Sequence, residues 1–118
     1  TLDRAAESAM VTEATALRAR WIRMTEVTRV LHTADDLNLT LANATIYLEA
    51  FGHLVLSWIW LEQALVARNA NAPEEHFYAG KLQACRWFFR WELPRVDAQL
   101  DLLASFDKTA LEMQDAWF

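Results

Sequence analysis

Glu49 and His53 stand four residues apart, so on a helix their carboxylate and imidazole share one face, as in the di-iron sites of helical bundles. That chemistry needs Glu-x-x-His pairs at i, i+3 and further glutamates from other helices, and the sequence has no such pair. His53 is therefore expected to satisfy a polar partner in or beside the core, not to bind metal. Ser8, Ser57 and Ser105 fall on or next to expected helices, with no Gly-rich elbow and no evident base to activate them. Gly52 and Gly80 are isolated, which leaves no glycine loop to cradle a phosphate. Cys85 lies among aromatic residues and reads as an inert core thiol. These residues give no sign of autonomous catalysis.

The densest chemistry lies between Phe77 and Pro94, FYAGKLQACRWFFRWELP, which holds six aromatic rings, four charges and one proline. Leu82, Ala84, Cys85, Trp87, Phe88, Phe89 and Trp91 cover nearly the whole circumference of a helix, so burial on more than one side is expected. Part of that surface is expected to face a partner outside the chain. Lys81, Arg86 and Arg90 puncture the aromatic run, and their heads must reach water, a carboxylate or a ligand phosphate. The favoured reading is ion pairs that orient a corner at Pro94, with Glu92 a partner for Arg95. Trp58 with Trp60, and Trp87 with Trp91, could sandwich a flat cofactor; core packing is the favoured role. Residues two apart on a helix point about 200° apart, so Trp58 and Trp60 must serve different surfaces.

Few breakers are available to interrupt the elements that position these residues. The chain has 118 residues, 54% of them hydrophobic, with six Trp but only two Gly and two Pro, which suits one domain of long helices and excludes a turn-rich β fold. The expected fold is all-α, an up-and-down bundle of about four helices with a short C-terminal helix. The first helix spans 2–33, with Leu2, Ala6, Ala9, Ala16, Met24, Val27 and Leu31 as its apolar seam, interrupted by Glu13 and Arg20. Asp35, Asp36 and Asn38 break it, and Asn38 or Thr40 caps a second helix that runs to about Ala70. Asn69, Asn71 and Pro73 end that helix, and Glu74 and Glu75 open a third that reaches Pro94. A fourth follows to about Ala104, and the last covers Lys108 to Trp117. Each glycine costs its helix about 1 kcal/mol against alanine, so each is expected to permit a close approach. Gly52 should make room for Trp91 or Phe88, and Gly80 should lie opposite Gln63.

Net charge is −5 and no dense basic run occurs, which removes the attraction nucleic-acid binding depends on. Arg18, Arg20, Arg23 and Arg29 face Glu26 alone, and the favoured reading is a solvated face of paired charges, with docking against an acidic surface or a phosphate-bearing ligand as the alternative. Glu7, Glu13 and Glu26 weaken a membrane-surface role for that helix. The apolar window from Ala50 to Leu61 is shorter than the about 20 residues a bilayer requires, so a buried core helix and no membrane span are expected. A single cysteine forms no internal disulfide, which fits a cytoplasmic setting. No signal peptide is visible, and the missing initiator Met suggests a piece of a longer chain.

Together with Asn43-Ala44-Thr45-Ile46-Tyr47-Leu48-Glu49-Ala50-Phe51-Gly52 and Met113-Gln114-Asp115-Ala116-Trp117-Phe118, the 77–94 segment resembles the C-terminal helical domain of the larger bacterial acyl-CoA dehydrogenases. The resemblance covers roughly residues 38–118, with 1–37 alike only in general character as a long Ala- and Arg-rich helix. It implies a parent flavoenzyme that oxidises an acyl-CoA thioester to the trans-2-enoyl thioester. In such an enzyme a glutamate removes the α-proton, FAD takes the β-hydride, and an electron-transferring flavoprotein accepts the electrons. The flavin-binding and catalytic domains precede this one in the family, no residue here matches the catalytic glutamate, and no cofactor is expected in this piece alone. What carries over is architectural: Asn43, Tyr47, Phe51, Gly52, Phe77, Tyr78, Gly80, Lys81, Arg86, Glu92, Leu93, Pro94, Trp117 and Phe118. Cys85 and Trp87 depart from the family pattern. By the same resemblance, Lys81, Arg86 and Arg90 have a second possible role against a coenzyme A phosphate or flavin pyrophosphate.

The resulting expectation is a domain that packs on the rest of its parent chain, shapes an acyl pocket or makes a subunit contact, in a homo-oligomer. Gly52, Trp58, Trp60, Lys81, Arg86, Trp87, Phe88, Arg90 and Trp91 are its candidate interface or packing residues. The alternative is a free-standing helical module that dimerises or binds an apolar ligand.

Overall fold

In a computed structural model, which describes residues 1–6, 10–70 and 75–118, the chain runs through α1 (Leu2–Ala6), α2 (Val11–Leu31), α3 (Leu37–Leu41), α4 (Ala44–Asn69), α5 (Glu75–Trp87), a π-helical turn (Phe88–Glu92), α6 (Arg95–Ala104) and a 3-10 turn (Asp115–Trp117). No strand occurs among the described residues, as expected of an all-α chain. The expectations placed on Ala6, Glu7, Ser8, Ala9, Asn71, Pro73 and Glu74 lie outside the described side chains and residues.

The differences from expectation lie at the joints. The single first helix is two, because Met10, at φ −96° and ψ 25°, stands outside helical geometry just before α2. Asp36, not Asn38 or Thr40, caps the next element: its Oδ1 accepts the Asn38 N–H at 2.9 Å, while the Thr40 hydroxyl donates back to the Leu31 carbonyl at 3.2 Å. That element is the short α3, since Asn43 leaves helical geometry at φ −118° and ψ 35° and its side-chain amide donates to the Asp107 carbonyl at 3.0 Å. Near Pro94 the third helix widens. Proline offers no N–H to the Arg90 carbonyl, and the Leu93 N–H instead reaches five residues back to the Phe88 carbonyl at 3.0 Å. The expected last helix over 108–117 is one hydrogen-bonded turn, Glu112 N–H to Lys108 carbonyl at 2.9 Å, and a 3-10 turn. Leu111, Met113, Trp117 and Phe118 are all exposed, so no packed face sustains a short helix there.

α4 is the axis of the core. Ala50, Leu54, Ser57, Leu61, Ala64 and Leu65 form its inward stripe against α2, α5 and α6, which contribute Leu17, Met24, Val27, Cys85, Val96 and Leu100. Ser57 is buried with its hydroxyl donating to the His53 carbonyl at 2.7 Å, and the Tyr47 hydroxyl and Thr28 Oγ1 tie α4 to α2 at 2.9 Å. The helix lies in the core as expected, but it is buried along one stripe only. α4 is long and apolar enough by length and composition to cross a membrane, yet only 22% of its most apolar window is buried.

The molecule measures 62 × 31 × 16 Å, with a radius of gyration of 18.1 Å. A compact chain of this length would have a radius of about 13.5 Å. The helices thus form a slab about two helices thick.

Candidate functional site

At the corner, α4 meets the π-helical turn through a chain of polar contacts. His53 Nδ1 lies 2.9 Å from the Glu49 carbonyl, an acceptor only, so Nδ1 carries the proton and donates. Nε2 faces Glu92 Oε2 at 3.4 Å, and the same carboxylate lies 3.6 Å from Arg95 Nε, the partner expected from sequence. The Phe88 ring sits 6.2 Å from the imidazole and 6.4 Å from Trp60, capping the cluster on its apolar side. The Glu49 carboxylate turns away to accept from Gln99 Nε2 at 3.1 Å, so the i, i+4 pair does not converge on one point. Among the described residues no group of three His, Cys, Asp or Glu side chains is placed to hold a metal.

The aromatic stretch is less buried than its composition suggests. Cys85 and Leu93 are fully enclosed and Phe89 nearly so, while Trp87 and Trp91 are 53% and 63% exposed, which corrects the core role expected of that pair. Arg86 and Arg90 are exposed and make no ion pair among the described residues, so the corner is held by His53 and Arg95 instead of by these cations. The Lys81 ammonium rests 5.6 Å from the Trp60 ring and 5.5 Å from Phe77, a cation–π clamp in place of the expected ion pair. Gly52 does not make room for Trp91 or Phe88. A β-carbon on Gly52 or Gly80 would meet nothing within 4 Å, and both positions border open space. Burial pushes the Cys85 thiol up to about 12, with the Glu13 carboxylate adding to the effect.

Trp58 and Trp60 serve different surfaces, as their spacing requires. Trp60 packs against the core, whereas Trp58 lies exposed on the other side and donates from Nε1 to the Thr1 hydroxyl at 2.9 Å. Thr1 in turn hydrogen bonds Glu62, and Arg4 Nη2 reaches both Glu62 oxygens at 2.9 Å; the Thr1 hydroxyl and then Arg4 hold that carboxyl below its usual range. Beside this cluster opens a groove of about 600 Å³ lined chiefly by Leu17, Arg18, Trp21, Phe51, Val55 and Trp58. Sequence reasoning missed this cluster because its members are separated by up to 61 residues and form no motif. Three of the four arginines of α2 are paired, chiefly with carboxylates from elsewhere in the fold; Arg23 also lies 3.9 Å from Glu26 on the same helix, and Arg29 makes no ion pair among the described residues. Arg20 grips Asp97 with both Nε and Nη2, at 2.9 and 2.8 Å, Arg23 reaches Asp101 at 3.5 Å, and Arg18 meets Asp3 at 2.9 Å.

The arrangement fits packing and docking. A dinucleotide such as FAD requires free backbone N–H groups at a helix N-terminus or glycine turn for its phosphates. The grooves here are walled largely by helix sides, whose N–H groups serve the helices themselves, and both glycines lie within helices. These residues do not fit that cofactor.

No curated protein and no solved structure matches the chain. The family model described as "Acetyl-CoA dehydrogenase C-terminal like" matches residues 1–114, extending over the first helices where the resemblance was only general and leaving the last four residues outside. With nearly its whole length matched, the chain belongs to that family, a C-terminal helical domain of the acyl-CoA dehydrogenases.

Proposed function

We propose that this domain is a non-catalytic packing and contact domain of an FAD-dependent acyl-CoA dehydrogenase. The parent chain would convert acyl-CoA to trans-2-enoyl-CoA in the cytoplasm and pass electrons to an electron-transferring flavoprotein. The observation that carries this reading is the apolar surface left outside the core: Trp87, Trp91 and Trp117 are each more than half exposed. Surfaces of that kind mark interaction sites. The family supplies natural cover, the flavin-binding and catalytic domains of the same enzyme. Lys81 stabilises the exposed side of Trp60 and Phe77, and the Glu92 cluster sets the angle at which α6 leaves the corner.

Size-exclusion chromatography tests this reading, with the 118-residue chain mixed with the flavin-bearing remainder of its parent and absorbance followed at protein and flavin wavelengths. Co-elution at a fixed ratio with dehydrogenase activity raised is the expected result. A yellow, active 118-residue chain by itself would show that the chemistry resides here and overturn the proposal. Separate elution as a stable dimer would favour the free-standing module.

A further inference from the structure

The outward face of α4 is built like one half of a coiled coil. Leu48, Gly52, Val55, Ile59, Glu62 and Val66 follow one another in steps of four, three, four, three and four residues, the spacing of a heptad seam. This seam lies opposite the inward stripe of Ala50, Leu54, Ser57 and Leu61. Leu48, Ile59 and Val66 are 69%, 41% and 64% exposed, and Val55 and Gly52 are half-buried. Nothing lies within 4 Å of a β-carbon built on Gly52. A heptad seam on a helix whose other side is already packed is suited to receive another helix.

We infer that the occupant is the α4 seam of a second copy, running antiparallel across a two-fold axis between Val55 and Ile59. In that register Leu48 faces Val66 of the other copy, Val55 faces Ile59, and Gly52 faces Glu62. Every apolar residue meets an apolar one. The one charged residue, already neutralised by Arg4, falls opposite the glycine, where an absent side chain leaves room for it. A parallel pairing would set Glu62 against Glu62 and Gly52 against Gly52, placing like charges together and leaving a void. The partner's Leu48 would enter the shallow apolar groove beside Val66 and Phe77. A stable dimer needs about 800 Å² from each partner. The seam runs about 27 Å along α4, and exposed Phe51, Leu56 and Trp58 flank it and widen the contact. This contact goes beyond the enzyme assignment and does not depend on which reaction the parent performs.

Disulfide trapping in the natural full-length chain decides it. Differently tagged Val55→Cys and Ile59→Cys copies, mixed and oxidised, should cross-link about tenfold more than either copy alone, because a disulfide tolerates only a narrow range of separations. Buried Cys85 stays out of the reaction. An added Leu48→Glu change in either copy should abolish the cross-link while leaving the helical circular dichroism intact. Equal or absent cross-linking in mixed and single samples would overturn the inference. So would seam thiols protected from a water-soluble maleimide without cross-linking, which would mean that another part of the same chain covers α4. Binding of the chain to phosphatidylcholine vesicles, lost in the Ile59→Glu variant, would assign the seam to lipid and overturn it too. Flavin content of the same samples reports separately on the enzyme assignment.

Discussion

Cys85 illustrates how an environment sets what a residue can do. Its thiol is buried against α4 and held neutral, pushed from the ordinary 9.0 up to about 12. In the native chain it should resist iodoacetamide at mildly alkaline pH, and it should react once urea exposes it; equal rates in both states would refute its burial. The linked effect on stability has a definite sign. The unfolded thiol loses its proton near 9.0 and the folded one only near 12, so folding stability is intact below that window and falls as pH rises through it. Cys85→Ala should flatten that part of the denaturation-versus-pH curve. The inert role of Cys85 is legible in the sequence, because six aromatic neighbours within eighteen residues leave little water nearby. The Glu62 cluster is not, because its four members, Thr1, Arg4, Trp58 and Glu62, meet only after α1 folds back onto α4.

At the scale of elements, α4 offers a direct comparison between its two faces. Leu54→Ala removes a side chain with 0% exposure and should cost about 2–5 kcal/mol, read as a lower urea midpoint. Leu48→Ala, on the seam, should change the intrinsic stability of a single chain by about 0.5 kcal/mol or less. If both cost the same at a concentration where the chain is monomeric, the division of faces is wrong. Asp36→Ala should cost about 1 kcal/mol through loss of the α3 cap. Helices were readable from apolar spacing and from the scarcity of Gly and Pro, and the Pro94 corner follows from proline's missing N–H. The breaks at Met10 and Asn43 were not readable, since Met favours helices and Asn43 stands alone, without the cluster of breakers found at 35–38. Asn43 leaves the helix in company with a contact to Asp107, far along the chain. Trp87 and Trp91 misled for a related reason: composition shows that a surface is apolar and does not say whether the same chain covers it.

As a whole molecule, the chain departs most from expectation in shape. A 54% hydrophobic composition suggests a compact core, but the helices spread into a slab 16 Å deep and leave apolar surface on its outer faces. Solution X-ray scattering on the 118-residue Ile59→Glu chain should give a radius of gyration near 18.1 Å. A value near about 13.5 Å would indicate collapse into a compact bundle. Shape is hard to read from one sequence because a packed face and a face awaiting a partner carry the same residue types. The paired arginines of α2 add a second signature of design for this layout, since Arg20 and Arg23 bind carboxylates on α6 and hold the slab flat from one edge.

The π-helical turn sets the phase of everything after it. One extra residue in a helical turn rotates the following chain by about a quarter turn, and here that offset aims Val96, Leu100 and Leu103 at the core. The stretch from Phe88 to Glu92 can therefore tolerate changes of letter far better than a change of count. Deleting Arg90, an exposed residue without an ion pair among the described residues, should disrupt the fold more than replacing it with alanine, because the deletion resets the angular clock for all of α6.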